Sequence, residues 1–185
     1  MSTAEGSNPE LVYAWNGPPR LELWTFEVSR NGKTWKQHRF VADGGVPGVV
    51  IVAVHEGRFA MVEHFRPVAG RSFLEFPRGF GTQGGTGSVR AQAGRDAERE
   101  LREETGLAGT GFTPLGNVWA DTSLLQGSAV VVTAKLPSAA PVEAADGETD
   151  GLRWVPVEQF PQLAAAGEIA DALSMAAYVH WLAAG

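Results

Sequence analysis

Glu100, Glu103 and Glu104 are the residues whose type and spacing most directly invite chemistry. On a helix of 3.6 residues per turn they fall within an arc of roughly 100° on one side, so their carboxylates are neighbours. Like charges so placed repel by about a few tenths of a kcal/mol per pair in water. Converging hard oxygen donors are what Mg²⁺ or Mn²⁺ requires, with substrate phosphate oxygens usually completing the shell. The same charges also suit a solvated helix face on which Arg95, Arg99 and Arg102 pair with the acids. Charge alone leaves both readings open.

The elements around these glutamates are legible in outline. Ser88 can cap a helix that runs to Thr105, and Gly106 supplies its stop. Val89, Ala93, Ala97 and Leu101 recur every four residues as an apolar stripe. Ahead of the helix, 79–88 is dense in glycine and is expected to be a flexible loop. Further back, LELWTFEVS and WKQHRFV flank Asn31-Gly32, a strong hairpin signal. The run VPGVVIVAV suits a strand buried on both faces, and AMVEHFRP pairs with it across HEGRF to make a second hairpin over 46–67. A short strand at 73–76 stops at Pro77. Strands are also expected in FTPLGNVWA, SAVVVTAKL and LRWVPV, then helices over 156–163 and 169–182. This order predicts an α/β sandwich and not a doubly wound sheet.

Composition narrows the class further. At 185 residues the chain can bury roughly two-thirds of its unfolded surface in one domain. A net charge of −6 argues against a broad nucleic-acid surface, which needs clustered Lys and Arg. It does not exclude phosphorylated substrates, because bound cations invert local charge. Without any cysteine there are no disulfides, thiolate metal sites or thiol nucleophile. MSTAEGSNPE lacks the apolar core of a signal peptide, and no run of about 18 apolar residues exists. A cytoplasmic protein without membrane contact is expected, with residues 1–9 as a disordered tail.

Arg99-Glu100-Leu101-Arg102-Glu103-Glu104-Thr105-Gly106-Leu107 resembles the second half of the Nudix box, Gly-x5-Glu-x7-Arg-Glu-U-x-Glu-Glu-x-Gly-U, where U is a bulky aliphatic residue. Seven specified positions of these nine are satisfied. VIVAVHEGRFAMVEHFRPVAGRSFLEFPRGF is similar to the paired strands and Glu-x-Pro-x-Gly approach of the ADP-ribose pyrophosphatase-like Nudix hydrolases. GEIADALSMAAYVHWL is similar to their C-terminal helix, which often opens with Gly-x-Ile-x-Asp. The likeness spans about 20–183. It departs from the family in two places. The box glutamate falls on Ala91, and the glycine of Pro-x-Gly, Gly79, lies 20 residues before Arg99 where the pattern has 14. A six-residue insertion within 80–91 together with loss of one carboxylate reconciles the two.

The resemblance implies a Nudix-type α/β/α sandwich with a mixed sheet over 43–185. Residues 1–42 would form a tail and an N-terminal β segment able to mediate a homodimer. It also implies Mg²⁺- or Mn²⁺-dependent cleavage of a pyrophosphate bond in a nucleoside diphosphate sugar, with ADP-ribose foremost. Glu100 and Glu104 would be metal ligands, Glu103 a third ligand or base, and the Arg78 carbonyl a further metal contact. Arg99 would orient Glu100, and Glu148, with Asp146 and Asp150 as competitors, would supply the base. Arg66 and Glu75 would meet the substrate, a role a guanidinium fork suits. Trp15, Trp24 and Phe26 could stack on a base or simply pack. Two other outcomes fit the sequence: a non-catalytic nucleotide-binding module of the same fold, and a hydrolase of nucleoside triphosphates.

Overall fold

The computed structural model describes residues 5–6, 9–85 and 87–185. The tail expected at 1–9 falls largely outside the described residues, although Glu5 and Gly6 within it pair with Ser29 and Val28. In chain order the strands are β1 (Glu5–Gly6), β2 (Glu10–Trp15), β3 (Leu21–Arg30), β4 (Lys33–Ala42), β5 (Gly48–His55), β6 (Arg58–Arg66), β7 (Arg71–Glu75), β8 (Arg78–Gly79), β9 (Thr110–Val118), β10 (Leu125–Gln126), β11 (Ala129–Lys135) and β12 (Gly151–Pro156). The helices are α1 (Val89–Thr105), α2 (Phe160–Ala165) and α3 (Ala172–Ala184). These elements cluster into two compact units. The smaller comprises the chain up to Val46 with Trp119–Ser128, and the larger comprises Pro47–Val118 with Ala129–Gly185.

In the smaller unit, β3 and β4 form the expected hairpin, in register from Leu21↔Ala42 to Arg30↔Lys33. Its turn residues Asn31 and Gly32 both take positive φ, 52° and 72°. That geometry matches the twist of the flanking strands and explains the residue pair. β2 and β1 lie along the other edge of β3, and β10 adds in parallel to β4.

The larger unit is built on a mixed sheet of order β12-β6-β5-β11-β9, with β7 beside β6 and β8 beside β5. β5 and β11 are its parallel pair, from Gly48↔Ala129 to Val54↔Lys135. Their continuous apolar runs are required because both faces are covered. Val50, Val52, Phe59, Met61 and Val131 pack with Phe160 of α2 and Ala177 of α3 on one face. Val49, Ile51, Ala60, Val130 and Val132 pack with Ala93, Ala97 and Leu101 of α1 on the other. This alternation makes the larger unit an α/β/α sandwich with a mixed sheet, the fold class expected from the sequence.

Three expectations need correction. Val89 is 59% exposed and takes no part in the α1 stripe, because it opens the helix before the axis has come over the sheet. Gly79 belongs to β8 and pairs with Val49, so the strand resumes after Pro77 and the loop starts later. α3 begins at Ala172 rather than near Ile169, because Asp171 caps it and Ile169 is buried in the core. Among the described residues no helix is long and apolar enough to cross a membrane.

Candidate active site

The helix that carries the glutamates is held by its ends. Ser88 Oγ accepts from Ala91 N at 3.2 Å, and Gly106 closes the helix in the left-handed conformation with φ 69°. A methyl group at 106 would also overlap the Glu143 carbonyl oxygen, so the glycine is required twice. The segment after β11 is laced to this end of α1. Val142 N donates to Gly106 O (2.8 Å), Asp146 N to Glu103 O (2.8 Å), and Thr149 Oγ1 to Glu104 O (3.1 Å).

Glu100 and Glu104 lie one turn apart on the buried side of α1, 9% and 5% exposed. Arg99 Nη2 donates to Glu100 Oε1 at 2.7 Å and to the Phe80 carbonyl at 3.0 Å. Its Nη1 donates to Glu103 Oε2 at 2.7 Å. Glu103 is thus turned toward Arg99 at the rim. Among the described residues no group of three or more His, Asp or Glu side chains is arranged to hold a metal ion. The three glutamates of the sequence pattern are therefore not gathered into one cage.

β8 runs beneath Glu100 and Glu104. A side chain on Gly79 would overlap the Glu100 carboxylate, which explains a glycine here without any unusual backbone angle. The Arg78 amide donates to Glu104 Oε2 at 3.3 Å. This bond ties the backbone at Arg78, whose carbonyl is the expected metal contact, directly to Glu104. The Arg78 guanidinium reaches Glu75 Oε2 and Asp171 Oδ1, each at 3.0 Å.

Arg66 and Glu75 meet each other: Arg66 Nε lies 3.2 Å from both Glu75 oxygens, and its Nη2 closes the pair. Glu75 is 2% exposed and shared by two guanidinium groups, so it holds arginines in place and has little surface left for a ligand. The Arg66 side chain remains 30% exposed. Burial opposes the charge on Arg66, but the bond and field of Glu75 outweigh it and raise its pKa.

The electrostatics single out one carboxylate. Burial pushes Glu104 up to about 8, against the pull of the Arg78 amide and with a further push from Glu100. Glu100 is also raised, chiefly by burial, although Arg99 counters it. Two desolvated carboxylates without enough positive charge form a donor set that a hard divalent cation would complete. The glycine beneath Glu100 leaves room for the carboxylate to sit there, so these residues fit such an ion.

The remaining expected residues are more scattered. Glu148 is exposed on the 141–150 segment, its amide donating to Asp146 Oδ1 at 2.9 Å, yet its charge is felt at Glu100. Ala91 is exposed in the first turn of α1. Trp24 and Phe26 in the smaller unit flank the Arg39 guanidinium at 5.7 Å each, and Trp15 is exposed. A cavity of ≈ 380 Å³ in that unit is lined by Phe26, Gln37, His38, Arg39 and residues 122–126. Sequence reasoning missed Asp96, which is 3% exposed and anchors the glycine-rich segment through Thr82 N (3.2 Å) and Thr82 Oγ1 (2.6 Å). It also missed the contact of Asp171 with Arg78. The Gly-x-Ile-x-Asp opening was the only available signal for Asp171.

A helix carrying two buried carboxylates thus lies over β8 and against a mixed sheet between two helical layers. Residues 45–177 match the model of the NUDIX domain, and the chain belongs to that family. It is a Nudix-type pyrophosphate-cleaving hydrolase. Among solved structures it is similar to the crystal structure of an ADP compounds hydrolase, at 19% identity and a TM-score of 0.77. That match covers 100% of this chain and 96% of the other. No curated protein matches it in sequence.

Proposed function

We propose that this Nudix hydrolase uses Mg²⁺ or Mn²⁺ to cleave the pyrophosphate linkage of a nucleoside diphosphate joined to a sugar, ADP-ribose or a close relative. The products would be a nucleoside monophosphate and a sugar phosphate. The observation that carries the reading is the pair Glu100 and Glu104, buried together over Gly79 with Arg66 and Arg78 close by. Glu100 and Glu104 would hold the cation, which when bound neutralises phosphate charge and acidifies a water molecule. Arg99 fixes the Glu100 carboxylate by a charge-assisted bond. Arg66, held by Glu75, would offer its guanidinium to a phosphate or ribose oxygen. Glu148, or Glu103 at the rim, would take the proton of the attacking water. The water oxygen bonds to phosphorus, and the bridging oxygen leaves with the other phosphate.

Two observations bear on the substrate. The similar solved structure is that of a hydrolase of ADP compounds. The 20–183 likeness to ADP-ribose pyrophosphatase-like enzymes, with its Glu-x-Pro-x-Gly approach at 75–79, favours the same substrate class. A non-catalytic binding role has one feature in its favour, the alanine at position 91, and the buried carboxylate pair against it. Purified protein with Mg²⁺ should release monophosphate from one or more of a panel of nucleoside diphosphate sugars. Turnover of a nucleoside triphosphate with none of that panel cleaved would sink the substrate assignment. Tight binding of an intact nucleotide sugar after long incubation would sink the enzymatic one.

A further inference from the structure

The residues from Gly167 into α3 lie along the strand segment that underpins Glu100 and Glu104. Leu74 N donates to Glu168 O at 3.3 Å, Phe76 N to Ser174 Oγ at 2.9 Å, and Arg78 Nη1 to Asp171 Oδ1 at 3.0 Å. Alternate residues 74, 76 and 78 are thus each tied to the segment 168–174 that leads into α3. Ser174 is fully buried and Ile169 is locked in the core, so this staple sits on a rigid base. One residue beyond it, Gly79 lies against the Glu100 carboxylate, and the Arg78 amide meets Glu104.

Asp171 splits its carboxylate between two tasks. Its Oδ2 accepts from Ser174 N at 2.7 Å and caps α3, which needs only one oxygen. Its Oδ1 is spent on a guanidinium 93 residues away in sequence. That second bond gives Arg78 a second partner. Arg66 and Arg78 both lean on Glu75. Asp171 holds the other side of the Arg78 guanidinium, so Arg78 is fixed between Glu75 and the start of α3.

We infer that Asp171 is a positioning residue. Through Arg78 it fixes the Arg78–Gly79 backbone against Glu104 and Glu100, and so sets the geometry of the metal ligands. The inference rests on the reading of Glu100 and Glu104 as metal ligands, and the experiment separates the two. The full chain, Asp171→Asn, Arg78→Met, the double variant and Glu104→Gln are titrated with Mn²⁺ by calorimetry and assayed for kcat and KM. Asn caps a helix about as well as Asp, so Asp171→Asn should unfold near the wild-type temperature. Outer-shell partners typically control affinity by about 10- to 100-fold, and a loss in that range is expected in Mn²⁺ affinity and kcat, with KM moving less.

Arg78→Met gives the sharper readout. Field effects alone predict opposite signs: losing the Asp171 anion weakens Mn²⁺ binding, and losing the Arg78 cation strengthens it. Positioning predicts that both variants weaken it, and that the double variant is no worse than the poorer single one. Tighter or unchanged Mn²⁺ binding by Arg78→Met would overturn the inference, as would losses that multiply in the double variant. Arg78→Met leaves the α3 cap intact, so it decides the matter even if Asp171→Asn unfolds. If Glu104→Gln binds Mn²⁺ as tightly as wild type, the metal reading itself fails and takes the inference with it.

Discussion

Glu104 concentrates the tension in the site. Its carboxylate is buried one turn from Glu100, and it is held up to about 8 because desolvation outweighs the Arg78 amide and the Arg66 field. A folded-state pKa above the ordinary value of 4.5 means that folding prefers the protonated form. The associated stability is fully present below about 4.5 and is lost as pH rises through about 8. In metal-free protein the stability of wild type relative to Glu104→Gln should therefore fall steadily over that window and level off above it. Denaturant unfolding in a chelator across the range checks this, and a pH-independent difference would remove Glu104 from the buried charge cluster. Added Mg²⁺ should stabilise wild type at pH 8 distinctly more than Glu104→Gln, because the variant keeps only the Glu100 charge for the cation to offset. Turnover by the variant should fall by about 100-fold or more, since outer-shell partners of a metal already cost about 10- to 100-fold. The glutamates themselves were legible because spacing alone puts them on one face. Their unequal burial was not, since it depends on which side of α1 meets the sheet.

α1 is an element whose sequence announces its ends. Ser88 and Gly106 bound it as expected because capping is local chemistry, decided within a few residues. The hairpin at Asn31-Gly32 was legible for the same reason. The short strands β2, β8 and β10 were not, because a two-residue strand carries no period and β2 is exposed along its length. The links of Asp96 to Thr82 and of Asp171 to Arg78 were equally hidden, since they join residues that only the tertiary fold brings together. Gly106 shows both kinds of constraint at one position. Gly111 also has a positive φ, 66°, but open space around it, so alanine there should cost only the left-handed strain of about 1–2 kcal/mol. Gly106→Ala adds a collision with the Glu143 carbonyl and should be distinctly more destabilising. It should also slow turnover, because the displaced segment carries Glu148. Equal losses for the two variants in denaturant unfolding would show that the 141–150 segment yields freely.

At the scale of the whole molecule, the two units differ in how well they cover their apolar side chains. The larger has two continuous cores, one on each face of its sheet. Among the described residues, more than half of the large apolar side chains left exposed belong to the smaller unit, although it holds under a third of the chain. Leu11, Tyr13 and Trp15 of β2, Trp35 and Phe40 of β4, Leu125 of β10 and Trp119 are each at least 41% exposed. A monomer rarely leaves aromatic residues of this size uncovered in such density, and aromatic anchors are what stable interfaces bury at their centres. The resemblance that implies an N-terminal dimerisation segment points to the same surface. The chain is therefore expected to sediment as a homodimer through the smaller unit. Trp15→Glu, which places a charge where burial would be expected, should shift it toward a 19.7 kDa species while leaving the larger unit folded. Wild-type protein that sediments only at 19.7 kDa would exclude the dimer. A wild-type dimer that persists unchanged in Trp15→Glu would move the contact away from β2.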